Sequence, residues 1–272
     1  MPEKPEVMTV CSVLKKRIIG KTITDCNVYW NNIIATDLNS FKKNIINQKI
    51  HNINSRGKFI VIELDNYYLL IHLRMEGKFT FRDKGTKLEK HEHVELILDN
   101  EISWRYRDVR KFGKMYLIDK DKLNDTPPIK NLGYDYYDKE LNKNYLYENI
   151  HKKKLPIKTV LLDQSIICGI GNIYDDEILF LSRINPLRKA SDVKLNEYDL
   201  IINNTKKVLD EAYKLGGTTI KSFTSSEGVH GLFQQKLLVH GRVNEKCNVC
   251  GSDILKIKVG GRGTYYCPKC QK

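Results

Sequence analysis

The chain has 272 residues, with 46 Lys and Arg against 33 Asp and Glu, a formal net charge of +13. That length predicts two domains and an appendage, and the excess of cations predicts a polyanionic partner, either nucleic acid or an acidic membrane surface. An exported or membrane-spanning protein is not expected, because no run approaches the ~18 apolar residues of a span and the start lacks an apolar signal region; a soluble, cytoplasmic protein with reduced thiols is.

Val7, Val10, Cys11, Leu14 and Ile18 recur at spacings of three and four, which predicts a helix over 5–19 ended by Gly20. From 22 to 118 the period becomes that of strands. Phe59-Ile60-Val61-Ile62, Tyr67-Tyr68-Leu69-Leu70-Ile71 and Val94-Glu95-Leu96-Ile97-Leu98 read as strands, with Asp65-Asn66 and Asp99-Asn100 as hairpin turns. Such a succession predicts an antiparallel sandwich or barrel. Pro127-Pro128 and Gly133 break the pattern between 124 and 138. Beyond them helices are predicted over 139–152, 157–165, 172–182 and 194–214, the last ended by Gly216-Gly217. Residues 218–235 are polar and read as a mobile loop. Cys11, Cys26 and Cys168 lie among apolar neighbours and read as small buried hydrophobes.

Cys247 and Cys250 pair with Cys267 and Cys270 as two CxxC knuckles sixteen residues apart. Four thiolates at that spacing converge on one structural Zn²⁺, with the intervening stretch folding back as a hairpin. Ile254, Ile257 and Val259 lead into a turn at Gly260-Gly261-Arg262-Gly263, which puts Arg262 at the tip. The surrounding tail, 241–272, holds seven Lys or Arg against two Asp or Glu, a rigid basic finger suited to a polyanion. Removing the zinc is expected to disorder only this tail.

At the other end stands Met1-Pro2-Glu3-Lys4-Pro5-Glu6. With Met1 removed, Pro2 presents a secondary amine whose pKa lies near that of an α-amino group, about 8, so an appreciable fraction is neutral and nucleophilic. Glu3 and Glu6 supply carboxylates that can move protons. The same residues also suit an ordinary helix entry, with proline and acid in the first turn.

Pro2-Glu3-Lys4-Pro5-Glu6-Val7 resembles the PELPEV start of formamidopyrimidine-DNA glycosylases, bacterial repair enzymes that remove oxidised purines. The similarity continues through Arg56-Gly57-Lys58, His72-Leu73-Arg74-Met75-Glu76-Gly77, Lys90-His91-Glu92-His93, Asp108-Val109-Arg110-Lys111-Phe112-Gly113, Gly169-Ile170-Gly171-Asn172-Ile173-Tyr174, Gly216-Gly217-Thr218-Thr219 and the zinc ribbon. It implies an α+β multidomain fold: an N-terminal antiparallel β-sandwich with an N-terminal helix over 1–130, a linker over 131–150, a helix-two-turn-helix domain over 151–236, and a zinc finger over 237–272. It also implies a monomer acting on double-stranded DNA that contains oxidised bases or abasic sites. By resemblance Pro2 is the nucleophile, Glu3 the proton donor and acceptor, Lys58 a proton carrier in β-elimination, and Arg262 a phosphate grip near δ-elimination. Met75, Arg110 and Phe112 resemble residues that fill the stack when a nucleotide is extruded. His91, Lys153, Lys158 and Asn172 match DNA-contacting positions, and His93 is expected to face the sheet interior. Phe233 and the nearby Ser225-Ser226-Glu227-Gly228 fall where the family carries a lesion-sensing loop, and Thr219 and Lys221 precede it.

Gly169-Ile170-Gly171 lacks the third glycine and the βαβ setting of a dinucleotide fingerprint. Lys4, Arg74, Glu76, Val109 and Lys111 depart from the family's commoner residues; Lys4 either lowers the pKa of the neighbouring amine or points to solvent. An endonuclease VIII-type relative preferring oxidised pyrimidines shares Pro2, Glu3 and the ribbon, but the PEKPEV, KHEH and VRKFG segments favour the purine branch. A non-catalytic zinc-stabilised DNA binder fits the charge and the cysteines, yet gives no reason for Pro2, Glu3 and Lys58 to occur together.

Overall fold

The computed structural model describes residues 1–218 and 231–272. The chain forms two compact units, Met1–Lys130 with Gly216–Gly231, and Asn131–Leu215 with Leu232–Lys272.

The first unit opens with α1 (Lys4–Ile18), which buries the stripe Val7, Val10, Cys11, Leu14 and Ile18. Pro5 sits in its first turn, where a missing N–H costs nothing, and Lys15, Lys16 and Arg17 in the last turn complement the helix dipole. Nine strands follow: β1 (Thr22–Val28), β2 (Gln48–Lys49), β3 (Asn52–Arg56), β4 (Phe59–Glu63), β5 (Tyr67–His72), β6 (Lys78–Asp83), β7 (Glu92–Leu98), β8 (Ile102–Arg107) and β9 (Lys114–Asp119). They make two antiparallel sheets, in the orders β2-β1-β7-β8-β6 and β3-β4-β5-β9. Alternate residues from both sheets enter one core: Ile60, Ile62, Leu69 and Ile71 from one, Leu96, Leu98, Trp104 and Tyr106 from the other, together with the α1 stripe. The sandwich is as expected.

The sequence reading missed α2 (Leu38–Ile45), placed inside the strand-rich stretch. Its signal is local: Asp37 accepts from the Ser40 N–H at 2.8 Å, and Phe41 and Ile45 bury one face four residues apart. The two expected turns differ. Asp99 and Asn100 adopt φ of +50° and +60°, the left-handed pair of a tight turn. Asp65 and Asn66 do not; their loop is held from the side, with the Asp65 carboxylate accepting from the Lys49 N–H at 2.6 Å and the Gln48 side-chain oxygen accepting from the Asn66 N–H at 3.0 Å.

Arg105 is enclosed beside two carboxylates, Nη1 to Glu92 at 2.9 Å and Nε to Glu95 at 3.0 Å. Its remaining donors reach the carbonyls of Thr86 and Lys87, which ties down the segment leading to His91.

In the second unit, β10 (Tyr134–Asp135) and β11 (Ile167–Cys168) form a short parallel pair. The helices are α3 (Lys143–Ile150), α4 (Ile157–Leu161), α5 (Asn172–Leu181) and α6 (Leu195–Lys214). α4 stops earlier than expected because Asp163 turns the chain, accepting from the Ser165 N–H at 2.9 Å. α5 is buried on almost every side and packs on α6, the behaviour of a helix central to its domain. β12 (Leu255–Val259) and β13 (Arg262–Tyr266) form the terminal hairpin. No helix among the described residues is long and apolar enough to cross a membrane.

Candidate active site

The start of α1 gathers the chemistry of the first unit. Glu3 is its N-cap, and the Glu6 carboxylate closes the turn by accepting the Glu3 N–H at 2.8 Å through Oε2. The other oxygen, Oε1, accepts the Thr218 N–H at 2.7 Å. Gly217, at φ +83°, allows that approach: a Cβ there would lie 2.5 Å from Glu6 Oε1. Pro2, Glu3 and Glu6 are buried, while Met1 is partly exposed. The Met1 amine, which precedes Pro2, is held below its ordinary value, first by burial, with Lys58 and Arg110 reinforcing and Glu3 and Glu6 opposing.

Lys58 arrives from the sheet. Arg56 pairs with Phe59, so Gly57-Lys58 is a two-residue hairpin loop with Gly57 at φ +53°, where a side chain would be strained. The loop holds Lys58 almost wholly buried. Beside it His72 ends β5, its ring edge-on to Phe59 at 4.7 Å and its Nδ1 accepting the Arg74 N–H at 3.0 Å. Burial, then the cations Arg74 and Lys58, push its pKa down to about 3. In the sequence His72 closes an apolar strand and opens the segment 72–77 of the resemblance, with no role assigned to it.

Met1, Arg74, Met75, Arg110 and Phe112 line a cleft of about 370 Å³ in this unit. The segment 108–113 is shaped by Asp108, whose buried carboxylate accepts from the N–H groups of Arg110 at 3.0 Å and Gly113 at 2.8 Å. Gly113 is obligatory, since a Cβ would meet the Tyr106 hydroxyl at 1.7 Å. The loop thus turns outward, with Phe112 about half exposed and the Arg110 guanidinium over its ring at 4.8 Å. Lys111 lies over the Trp30 ring at 3.8 Å, which accounts for that departure as a packing contact. His91, at φ +73°, accepts the Asp108 N–H through its carbonyl and so sits beside this loop. Its pKa is lowered by desolvation and by Lys90, Arg107 and Lys111 nearby. His93 is buried, as expected, its Nε2 2.8 Å from the Asp108 carbonyl oxygen.

In the second unit Asn172 is the first residue of α5, and its Nδ2 donates to the Gly263 carbonyl at 2.9 Å. The hairpin turn is Gly260-Gly261 alone, both left-handed, so Arg262 is not the tip but the first residue of β13, exposed opposite Val259. A Cβ on Gly260 would lie 2.6 Å from the Thr159 Oγ1, so the turn rests on α4. Asn172 and Arg262 are therefore fixed on one scaffold. Lys153 is half-buried in the α3–α4 connection. Lys158 corrects an expectation: it is fully buried, its ammonium bound to Asp176 and 3.8 Å from Asp175, and so holds helices together instead of facing DNA. Phe233 is likewise not a loop residue. It is 3% exposed and packs 5.6 Å from Tyr174, within the short helical turn Phe233–Lys236. Thr219, Lys221, Ser225, Ser226, Glu227 and Gly228 lie outside the described residues.

The Sγ atoms of Cys247, Cys250, Cys267 and Cys270 lie within 4.8 Å of one another, with Cys250 to Cys267 at 3.4 Å and Cys247 to Cys270 at 3.9 Å. A tetrahedral Zn²⁺ with ~2.3 Å bonds needs sulfurs about 3.8 Å apart, so the donor set fits one structural zinc. Cys247 and Cys267 share a core with Phe180 of α5, Val239 and Ile254.

Three family models match the chain: the formamidopyrimidine-DNA glycosylase N-terminal domain over 1–115, the formamidopyrimidine-DNA glycosylase H2TH domain over 132–224, and the zinc finger found in FPG and IleRS over 244–272. The chain is 43% identical to the formamidopyrimidine-DNA glycosylase of Oceanobacillus iheyensis, covering 100% of this chain and 98% of the relative. It is 42% identical to that of Bacillus cereus, over 100% and 99%. Among solved structures, the Lactococcus lactis Fpg in complex with DNA containing an abasic site superposes with a TM-score of 0.92 at 36% identity, covering 99% of each chain. The wild-type Lactococcus lactis Fpg with DNA containing N7-benzyl-Fapy-dG gives the same TM-score and identity over 100% of each chain.

Proposed function

Because the chain belongs to the formamidopyrimidine-DNA glycosylase family, we propose that it is a bifunctional glycosylase and abasic-site lyase that excises oxidised purines, 8-oxoguanine and formamidopyrimidines, from double-stranded DNA. The observation that carries this reading is the enclosure of Pro2 and Glu3 at the start of α1, where Glu6 accepts the Glu3 N–H at 2.8 Å, in the same unit as the buried Lys58. Relatives of the same family are solved with abasic and Fapy-dG DNA, which supports the substrate class.

Removal of Met1 leaves the Pro2 amine as nucleophile. Its neutral lone pair attacks C1′ and the base leaves with the glycosidic electron pair, while Glu3 moves the proton that opens the deoxyribose. The resulting iminium draws electrons from C2′. A C2′ proton is lost, the 3′ phosphate departs, and a second elimination releases the 5′ phosphate. Lys58 carries protons in the first elimination. Chain reach requires the nucleotide to leave the stack; Met75 and Phe112 fill the gap and Arg110 hydrogen-bonds the orphaned base. His91, Lys153, Asn172 and Arg262 hold phosphates, with zinc keeping the ribbon that presents Arg262 rigid. In this assignment residues 1–130 carry the chemistry, 131–150 link, and 151–236 with 237–272 grip the duplex. The protein works as a monomer in the cytoplasm.

Borohydride reduction on a duplex with one 8-oxoguanine opposite cytosine tests this. A covalent adduct mapped to Pro2 is the expected result. An adduct formed only on oxidised-pyrimidine duplexes moves the substrate to the endonuclease VIII-type branch. DNA binding without any adduct leaves a zinc-stabilised binder.

A further inference from the structure

We propose that Lys4 is a positioning residue for the reaction, resting on the reading above: its ammonium fastens the helix end that bears the nucleophile to the strand that leads to Lys58. The geometry answers neither expectation from the sequence. Lys4 is fully buried, and Nζ donates to the Ser55 carbonyl at 3.1 Å. Ser55 is in β3, one residue before Arg56, which closes the Gly57-Lys58 loop by pairing with Phe59. On the helix side, Lys4 directly follows Glu3, the N-cap.

Two general penalties act against a lysine here. An ammonium withdrawn from water loses hydration, and a cation in the first turn of a helix opposes its dipole. An apolar side chain would fill the space without either penalty. What lysine alone adds is reach, from the first turn of α1 across to a main-chain oxygen in β3. The neighbouring contact follows the same seam, since the Cys11 thiol lies 3.3 Å from the Asn54 carbonyl. Glu6 fixes the turn from the inside through the Glu3 N–H, and Lys4 fixes it against the sheet. Together they set the separation of Pro2 and Glu3 from Lys58, the spacing on which both nucleophilic attack and proton transfer depend.

The test uses the full-length protein in four forms: wild type, Lys4→Met, Lys58→Met and the double variant. Single-turnover borohydride trapping is measured against pH on the 8-oxoguanine duplex, with DNA affinity and thermal midpoint in parallel. Lys4→Met is expected to lower the trapping plateau about tenfold, with an unshifted pH profile and affinity within about twofold. The loss should vanish in the Lys58→Met background, because there is no longer a lysine to position. Lys4→Leu serves as the second apolar variant and should show the same loss. Trapping at the wild-type rate in Lys4→Met, or an equal loss in both backgrounds, overturns the proposal. Failure of both apolar variants to fold also overturns it and makes Lys4 a stability residue. A wild-type protein that traps nothing overturns the functional reading and the role of Lys4 with it, whereas a trapping wild type with an equally active Lys4→Met overturns Lys4 alone.

Discussion

His72 shows how a buried side chain beside the Gly57-Lys58 loop shapes stability. Its pKa is pushed down to about 3 by burial and by Arg74 and Lys58, whereas the unfolded chain returns it to about 6.5. Above pH 6.5 both states hold it neutral. Below that, the unfolded state takes up a proton that the folded state refuses, so stability falls from about pH 6.5 down to about pH 3. Between pH 7 and 4.5 the loss from this one group is about 2–3 kcal/mol. His72→Asn keeps an acceptor for the Arg74 N–H, and urea unfolding at the two pH values should show a correspondingly smaller acid loss. Equal losses in both proteins would exclude His72 as the cause. His72 heads one of the segments that carry the resemblance, yet its titration is not legible there, because it comes from enclosure by β5, Phe59 and Lys58. The roles proposed for Pro2, Glu3 and Lys58 rest instead on residue type and on motif.

The junction between α5 and the zinc ribbon is the element on which the second unit turns. Glu177 accepts the N–H groups of Leu238, Val239 and His240, and Asp176 accepts from Lys158, from Tyr265 N–H and from His240 Nδ1 at 2.7 Å. Two consequences can be measured. Lys158→Met leaves Asp175 and Asp176 enclosed without their cation and should cost about 3–5 kcal/mol in urea unfolding. A DNA-contacting Lys158 would instead lower affinity with stability unchanged. Zinc removal, expected from the sequence to disorder only the tail, should also reach α5, since Phe180 packs with Cys247 and Cys267. Hydrogen exchange after chelation should therefore quicken at 177–181 as well as in the ribbon; protection confined to pre-chelation levels in α5 would contradict this. The ribbon itself was legible, as its four ligands are paired by short local spacings. α2 was obscured by the strand-like stretch around it, and the enclosure of Lys158 depends on Asp175 and Asp176, seventeen and eighteen positions away.

At the scale of the molecule, a net charge of +13 predicts binding that weakens steeply with salt. Arg262 is exposed on a hairpin braced by zinc, Asn172 and Thr159. Arg262→Ala should reduce the slope of log affinity against log salt by about one, measured on an abasic duplex. An unchanged slope would remove Arg262 from the phosphate contacts. The succession of sheets, helices and ribbon was readable because each has its own period or spacing. The discontinuity of the first unit was not, because residues 216–231 return to it after 85 residues of another unit (131–215), and no local pattern records such a return.

The bond from the Thr218 N–H to Glu6, 212 positions apart, also orders events in time. At ~5–20 residues per second a ribosome needs roughly 10–40 s to reach Thr218. Until then the Glu6 carboxylate lacks this partner, and the first residues of the chain are still open to the cellular peptidases that trim nascent proteins. Loss of Met1, on which the proposed Pro2 chemistry rests, can therefore precede completion of the contacts around Glu6.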